Sequence, residues 1–201
     1  MSKRRGESAE YALSQNQVQA VLNTCQDSDE RITIGMQIFC GLRVSELVHM
    51  RSDWVTQEGN LRIPSNQACN CAECVRLHGG TWKPKTKAGA RVLPIPERMR
   101  SDLSELFKVK PNGMGVSRTG LYYRTKTVLH RAKVKFRGVA GDTAFPHALR
   151  ATCASILARS GMSAVNLCYF LGWKSIAIGD HYIRTATAKE GALKEAKAIF
   201  G

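Results

Sequence analysis

The chain has 201 residues, which predicts one domain, and its 30 Lys and Arg residues against 16 Asp and Glu give a formal net charge of +14. With 43% hydrophobic and 23% charged residues, the composition excludes a disordered or collagen-like chain. No apolar run is long enough to span a bilayer, and no apolar run follows the basic start as it would in a secretory signal. The number of cysteines, seven, is odd, which argues against a disulfide framework.

Hydrophobic spacing and capping residues predict a chain made mostly of helices. The first begins at a capping box, with Ser14 as N-cap and Gln17 three residues later, and continues with apolar residues at helical spacing. The helices predicted after it are, in chain order, about Glu30–Cys40, Val44–Met50, a helix marked by Met99, Leu103, Leu106 and Phe107, Arg118–Arg137, a helix marked by Leu149, Cys153, Ile156 and Leu157 with Gly161 at its end, Ser163–Leu171, and Thr185–Phe200.

Three short segments, Asn60–Pro64, Gly80–Lys85 and Arg91–Ile95, are predicted as strands. The last two are expected to form a hairpin around the turn at Ala88 and Gly89. The predicted fold class is therefore mainly α with one small antiparallel β-sheet (α+β).

The positive charge is concentrated in the second half of the chain. Residues 1–105 carry 14 basic and 12 acidic side chains, whereas residues 106–201 carry 16 basic and 4 acidic ones. The basic side chains of the second half repel one another, and a polyanionic partner would relieve this repulsion. A basic surface kept for solubility is the alternative interpretation.

The absence of their motifs argues against several types of active site. The chain has neither a Gly-Lys-Ser/Thr phosphate loop nor a Gly-x-Gly-x-x-Gly sequence, and the basic half has few carboxylates for a two-metal site. It has instead Arg43 three residues before Glu46, a spacing that lets the carboxylate hold the guanidinium. His147 and Arg150 lie one helical turn apart.

Five ordered pieces of the sequence resemble the tyrosine recombinases, also called phage-type integrases. The resemblance covers about Leu13 to Arg184. The pieces are Gly41–Leu47, Lys85-Thr-Lys87-Ala-Gly-Ala-Arg91-Val-Leu-Pro94, Pro146-His147-Ala-Leu-Arg150-Ala-Thr152, Phe170-Leu-Gly-Trp173 and Asp180-His-Tyr182. The resemblance implies that the chain has the catalytic-domain fold of that family. It also implies that the protein is a site-specific recombinase of a mobile element or virus.

The resemblance implies a mechanism in which Tyr182 attacks a DNA phosphodiester and forms a 3′-phosphotyrosyl bond. Arg43 and Arg150 would neutralise the phosphate oxygens, which suits the planar, permanently charged guanidinium. A phenol has an ordinary pKa of about 10, so the nucleophile needs a base or a strongly polarising site.

The remaining catalytic roles are also implied by the resemblance. His147 would support proton transfer, and Lys87, with Lys85 as the alternative, would protonate the leaving 5′-oxygen. Trp173 would position a phosphate oxygen through its indole N–H, unless it is a core residue. No metal or nucleotide is needed for this chemistry.

The domain organisation expected from the resemblance is a basic lead over residues 1–12, a catalytic domain over 13–184 and a C-terminal helix over 185–201. That helix either docks on a neighbouring subunit of a tetramer or packs on its own chain. No separate N-terminal DNA-binding module is recognised, so we expect weak, salt-sensitive DNA binding. The residues expected to contact DNA from the basic helix are Arg118, Arg124, Lys126, Arg131 and Lys133.

The partners implied are double-stranded DNA and an accessory DNA-binding protein, with no membrane, and the implied location is the cytoplasm in association with DNA. Two other functions remain open from the sequence. One is a nicking–closing enzyme like the type IB topoisomerases, and the other is a non-catalytic DNA-binding regulator with the same fold.

Four soft ligands lie within ten residues, at Cys69, Cys71, Cys74 and His78. Thiolates and imidazole at this spacing suit a tetrahedral structural zinc ion that would staple a long loop. Free thiols in a surface loop are the alternative interpretation.

Overall fold

The computed structural model describes residue 9, residues 11–134 and residues 146–200, apart from the side chains of residues 189, 190, 193 and 194. Helices dominate these ranges, as the fold-class prediction requires. They are α1 (Gln15–Thr24), α2 (Ser28–Phe39), α3 (Val44–Val48), α4 (Ala72–His78), α5 (Glu97–Val109), α6 (Arg118–Arg131), α7 (Pro146–Arg159), α8 (Ala164–Leu171) and α9 (Ile176–Phe200), with 3₁₀ turns at Ser52–Trp54 and Lys87–Gly89.

The strands form two separate antiparallel pairs rather than the predicted hairpin. β1 (Asn60–Ile63) pairs with β4 (Arg91–Pro94), and β2 (Gln67–Ala68) pairs with β3 (Thr81–Trp82). The prediction that Gly80–Lys85 pairs with Arg91–Ile95 is wrong. The reason is burial, because the β1–β4 register places Leu61 opposite Leu93, and both side chains are fully buried.

Helix α2 lies at the centre of the core. All of its residues from Ile32 to Ile38 are buried, and it packs against α5, α6 and α7. Its buried Gln37 amide is satisfied because it donates to the Thr33 carbonyl at 2.6 Å and to the Thr125 hydroxyl at 3.2 Å. Among the described residues, no helix combines the length and apolar character that a membrane crossing requires.

Besides the last helix, three helix predictions differ from the structure. α3 ends at Val48, before the predicted end at Met50, and His49 is its C-cap. Ile156, one of the apolar residues that marked the helix α7, is 38% exposed. α6 ends at Arg131, where Lys133 adopts a left-handed φ of +52°. Residues 135–137 of the predicted helix lie outside the described residues.

The last helix begins earlier than the sequence suggests. α9 runs without a break from Ile176 to Phe200, so it contains both Tyr182 and the segment predicted to start at Thr185. The predicted boundary between 184 and 185 therefore falls inside one helix, which rigidly links the tail to the tyrosine.

Gly172 allows the end of α8 to lie against the loop that precedes β4. It has a left-handed φ of +57°, and a Cβ there would stand 2.8 Å from the Ala88 carbonyl oxygen. Gly161 also has a positive φ, of +85°, but a Cβ there would meet nothing within 4 Å.

We expect Gly172→Ala to lower the free energy of unfolding by at least ~1 kcal/mol more than Gly161→Ala, because both pay for left-handed backbone but only the first forces backbone apart. Urea unfolding of the two variants measures the difference. Equal losses would show that the close approach at Gly172 is unimportant.

Candidate active site

A buried carboxylate, that of Glu46, lies at the centre of the candidate site. Glu46 is in the first turn of α3, and its side chain is fully buried. It accepts from the Arg43 backbone N–H at 2.9 Å and from Arg43 Nη1 at 2.6 Å. Arg91 of β4 adds a two-point contact, with Nη1 and Nη2 each 3.1 Å from a carboxylate oxygen.

Electrostatics keep this carboxylate ionised. Burial by itself would raise the pKa of Glu46, but the positive charges of Arg91, Arg150 and Arg43 lower it to about 2. The group is therefore charged throughout the neutral range, and it balances part of the positive charge collected around it.

The end of α8 holds three arginines from three parts of the chain. Arg91 Nε donates to the Phe170 carbonyl at 2.7 Å, and Arg43 Nη2 donates to the Gly172 carbonyl at 2.9 Å. Arg150 of α7 donates to the Leu171 carbonyl and, through its other Nη, to the Gly41 carbonyl. The carbonyls at a helix C-terminus lack partners within the helix and carry partial negative charge, so three guanidinium groups satisfy them and are oriented by them.

Arg43 and Arg150 both line a groove of about 850 Å³ next to this network. The Arg43 side chain is 17% exposed, whereas the Arg150 residue is 3% exposed. Burial, and then the like charge of Arg43, lowers the pKa of Arg150, but a guanidinium starts so high that it stays protonated near neutral pH. Two fixed positive charges therefore face the groove.

His147 and Lys85 also line this groove, and both are exposed. Lys87, preferred from the sequence as the general acid, is exposed in the 3₁₀ turn and is not among the groove-lining residues. The turn changes the direction of the chain after Thr86, whose hydroxyl donates to the Gly172 carbonyl at 3.3 Å. The alternative, Lys85, therefore shares the groove with the two arginines.

Tyr182 lies under Trp173. Their rings stack with centroids 5.0 Å apart and planes 22° from parallel, and the Tyr182 residue is 4% exposed. The Arg150 guanidinium lies 6.0 Å from the centre of the Trp173 ring. Trp173 therefore connects the predicted nucleophile to a groove arginine, although it also packs against the core around α7 to α9.

The five basic residues predicted to bind DNA have different surroundings. Arg118 lines the groove and bonds to Glu73 at 2.7 Å. Arg124 and Arg131 instead pair with acids of α2, at 3.3 Å from Asp29 and 2.6 Å from Glu30. Both arginines therefore form ion pairs within the chain. Lys126 lies over the Tyr122 ring, and Lys133 is exposed.

Sequence reasoning missed three kinds of site residue. Arg91 stands in a quoted motif, but its contact with Glu46 spans 45 residues and depends on the β1–β4 pairing. Arg76 lines the groove from α4, as do Tyr122 and Tyr123 from α6. Adjacent tyrosines on a basic helix were a signal for a surface that contacts bases or sugars.

The predicted metal ligands are only partly brought together. The sulfurs of Cys69, Cys71 and Cys74 lie beside the imidazole of His49, within 4.8 Å of one another. His78, the predicted fourth ligand, is exposed at the end of α4 and is not in the cluster. His49 takes the place of His78 because tertiary packing brings the C-terminal end of α3, where His49 lies, next to the cysteines.

Comparison with known proteins identifies the family and the fold. A model of the phage integrase family matches residues 12–189. The XerA recombinase structure has a TM-score of 0.66 at 14% identity, covering 91% of this chain and 62% of that one. The XerH site-specific recombinase in a post-cleavage complex with palindromic difH substrate has a TM-score of 0.67 at 16% identity, covering 99% and 56%.

The Tn1549 transposon integrase in complex with circular intermediate DNA has a TM-score of 0.63 at 20% identity, covering 92% of this chain and 67% of that one. These likenesses show a shared fold. The chain spans about three fifths of the length of the XerA structure. No curated protein sequence matches it.

We expect Glu46→Gln to lower the free energy of unfolding at neutral pH by about 3–5 kcal/mol, because it leaves buried guanidinium groups without their counter-charge. Asp102→Asn is the matched control, since it removes a carboxylate whose partner, Arg31, is 46% exposed, and it should cost at most ~1 kcal/mol. Chemical unfolding of the two variants gives the comparison.

The same variant has a defined pH dependence. Because the folded pKa of Glu46 is lowered from 4.5 to about 2, its stabilisation is complete above pH 4.5 and is lost as the pH falls through about 2. The deficit of Glu46→Gln relative to the unmodified protein should therefore shrink over this window. A deficit that is small at pH 7, or that does not change with acidification, would contradict the assignment.

Proposed function

The chain belongs to the phage integrase family, and we propose that it is a site-specific tyrosine recombinase that cleaves and rejoins DNA through a covalent 3′-phosphotyrosyl intermediate. The observation that carries the proposal is the convergence of Arg43, Arg150, His147 and Lys85 on one groove, with Tyr182 stacked behind it on Trp173. These residues come from separate elements and together match the needs of phosphoryl transfer.

In the proposed mechanism, Arg43 and Arg150 bind the non-bridging oxygens of the scissile phosphate. Negative charge on these oxygens is stabilised most when the donors are already oriented, so that little reorganisation is needed during the reaction. The contacts with Glu46 and with the α8 carbonyls supply that orientation.

The strand is cleaved by in-line displacement. Tyr182 Oη forms a bond to phosphorus while the bond to the 5′-oxygen breaks, and the phenol proton passes to a base, for which we assign His147. The energy of the phosphodiester is kept in the phosphotyrosyl bond, so religation is the same step in reverse and needs no cofactor. Tyr182 is 4% exposed, so we further propose that α9 shifts relative to α8 to bring the phenol to a phosphate.

The leaving 5′-oxygen needs a proton, because an alkoxide is a poor leaving group. We assign this general acid to Lys85, which lines the groove with both arginines. Lys87 is the second candidate.

The proposed substrate is duplex DNA. The groove carries Arg76 and Arg118 beside Tyr122 and Tyr123, which combines cations for phosphates with aromatic faces for bases or sugars. The Tn1549 integrase and XerH structures contain DNA or a difH substrate, which supports the same class of ligand here.

For the partner chains, we propose a homotetramer on DNA, assembled through the end of α9 and assisted by an accessory DNA-binding protein. Ile199 and Phe200 are 73% and 85% exposed there. They support docking of the helix on a neighbouring subunit over packing on its own chain. We further propose that the protein acts in the cytoplasm, in association with DNA, during integration or excision of a mobile element or virus.

The first test uses nicked duplexes that trap the covalent intermediate, with candidate sites and no added metal. We expect a denaturing gel to show a protein–DNA adduct that is absent in Tyr182→Phe, because the variant lacks the attacking oxygen. Tyr169→Phe is the matched control, since this exposed tyrosine lies outside the groove and should leave the adduct unchanged.

The outcomes separate the three functions considered. An adduct followed by strand exchange between two sites supports a recombinase, and an adduct with relaxation but no exchange supports a type IB topoisomerase-like enzyme. DNA binding without any adduct would overturn the catalytic proposal in favour of a non-catalytic regulator.

The second test identifies the general acid. We expect Lys85→Ala to slow cleavage of ordinary DNA by about 10²–10⁴-fold. It should cleave DNA with sulfur in place of the bridging 5′-oxygen at nearly the unmodified rate, because a thiolate leaves without a proton. Lys87→Ala is the matched control and should cleave both substrates normally. The reverse pattern would assign the role to Lys87.

A further inference from the structure

One cluster of side chains takes no part in the proposed strand transfer. It is formed by His49, which follows α3, and by Cys69, Cys71 and Cys74, and we call it the Cys₃His cluster. The four ligand atoms lie within 4.8 Å of one another. His49 Nε2 is 3.6 Å from Cys71 Sγ and 3.4 Å from Cys74 Sγ.

These separations match those of ligands around one small tetrahedral ion. Zinc binds thiolate sulfur at ~2.3 Å and imidazole nitrogen at ~2.0 Å, which places nitrogen and sulfur about 3.5 Å apart at a tetrahedral angle. The two nitrogen–sulfur distances bracket that value. Three thiolates and one imidazole also form a ligand set of structural zinc sites.

The imidazole is oriented as a ligand. His49 Nδ1 lies 2.7 Å from the Ser45 carbonyl oxygen. Because a carbonyl can only accept, Nδ1 carries the proton, and the lone pair of Nε2 is left facing the sulfurs. The ring is also stacked on Trp82, with centroids 5.2 Å apart and planes 20° from parallel.

The backbone around the cysteines is equally ordered. Cys71 is the N-cap of α4, and its sulfur accepts the backbone N–H of Cys74 at 3.4 Å. The Cys69 N–H donates to the Gly80 carbonyl at 2.8 Å, and the Gly80 N–H donates to the Cys74 carbonyl at 3.1 Å. The loop therefore holds its three thiols in one cluster instead of leaving them as separate surface groups.

We propose that the Cys₃His cluster binds one structural Zn²⁺ ion through His49 Nε2 and the sulfurs of Cys69, Cys71 and Cys74. Binding replaces the three thiol protons by the metal and involves no change of oxidation state. A cavity of about 780 Å³ lined by His49, Cys69 and Cys71 offers the ion a path from solvent.

The ion would anchor one wall of the DNA-binding groove. Glu73 and Arg76 of α4 line the groove, while α4 itself packs mainly on the two-residue strand β3. Zinc would tie α4 to His49, at the opposite end of α3 from Arg43. Metal coordination would thus hold α4 in place, since this seven-residue helix has little apolar packing of its own.

The experiment measures zinc in the purified full chain by mass spectrometry, before and after incubation with ZnCl₂ and removal of free metal. We expect about one zinc ion per chain. Replacement by Co²⁺ should produce the intense visible bands of a tetrahedral site and a sulfur-to-cobalt charge-transfer band. This readout needs no variant and does not depend on recombination.

Two variants then distinguish the ligand sets. His49→Ala should lower zinc affinity by at least 10-fold, whereas His78→Ala should bind zinc as the unmodified chain does. Stripping zinc from the unmodified chain with a chelator should expose residues 64–82 to limited proteolysis, with zinc restoring protection.

Failure to load zinc, or an octahedral cobalt spectrum without the charge-transfer band, would overturn the site. Loss of zinc in His78→Ala together with its retention in His49→Ala would overturn the ligand assignment. If His49→Ala does not fold, the cobalt spectrum of the unmodified chain and zinc binding by His78→Ala decide the question.

Discussion

The arrangement of the candidate active site depends on one buried ion pair, between Glu46 and Arg91. A carboxylate without water is stable only if nearby positive charge and hydrogen bonds replace its hydration. Here Arg91 fills one side of Glu46 and Arg43 the other, so the carboxylate fixes an arginine that faces the groove. The negative charge also lowers the repulsion among three guanidinium groups, which could not otherwise share so small a volume.

The carbonyl groups at the end of α8 also position these arginines. Its final carbonyls accept from Arg91, Arg150 and Arg43, in the order Phe170, Leu171 and Gly172. One helix terminus thus sets the relative positions of side chains from α3, β4 and α7. Trp173 follows directly and stacks on the tyrosine of α9. The end of α8 therefore positions both the proposed phosphate-binding residues and the proposed nucleophile.

The Cys₃His cluster and the Glu46 network act at opposite ends of α3. Arg43 is the N-cap of this five-residue helix, and His49 is its C-cap. A helix of one turn has little stability of its own, so contacts at its two ends decide its orientation. The groove is therefore held by ion pairs at its centre and, through the proposed zinc ion, by metal ligands at its edge.

The sequence alone determined the helical fold class, the family and the contact of Glu46 with Arg43, because capping boxes, apolar spacing and motifs of three to ten residues act locally. The tertiary structure decided the strand pairing, the Arg91 partner of Glu46, the place of Lys85 in the groove and the fourth member of the cysteine cluster. Each of these depends on which distant segments come together. His49 shows the reason most clearly, since it lies 20 residues before Cys69 and only tertiary packing brings its nitrogen to the sulfurs of Cys71 and Cys74.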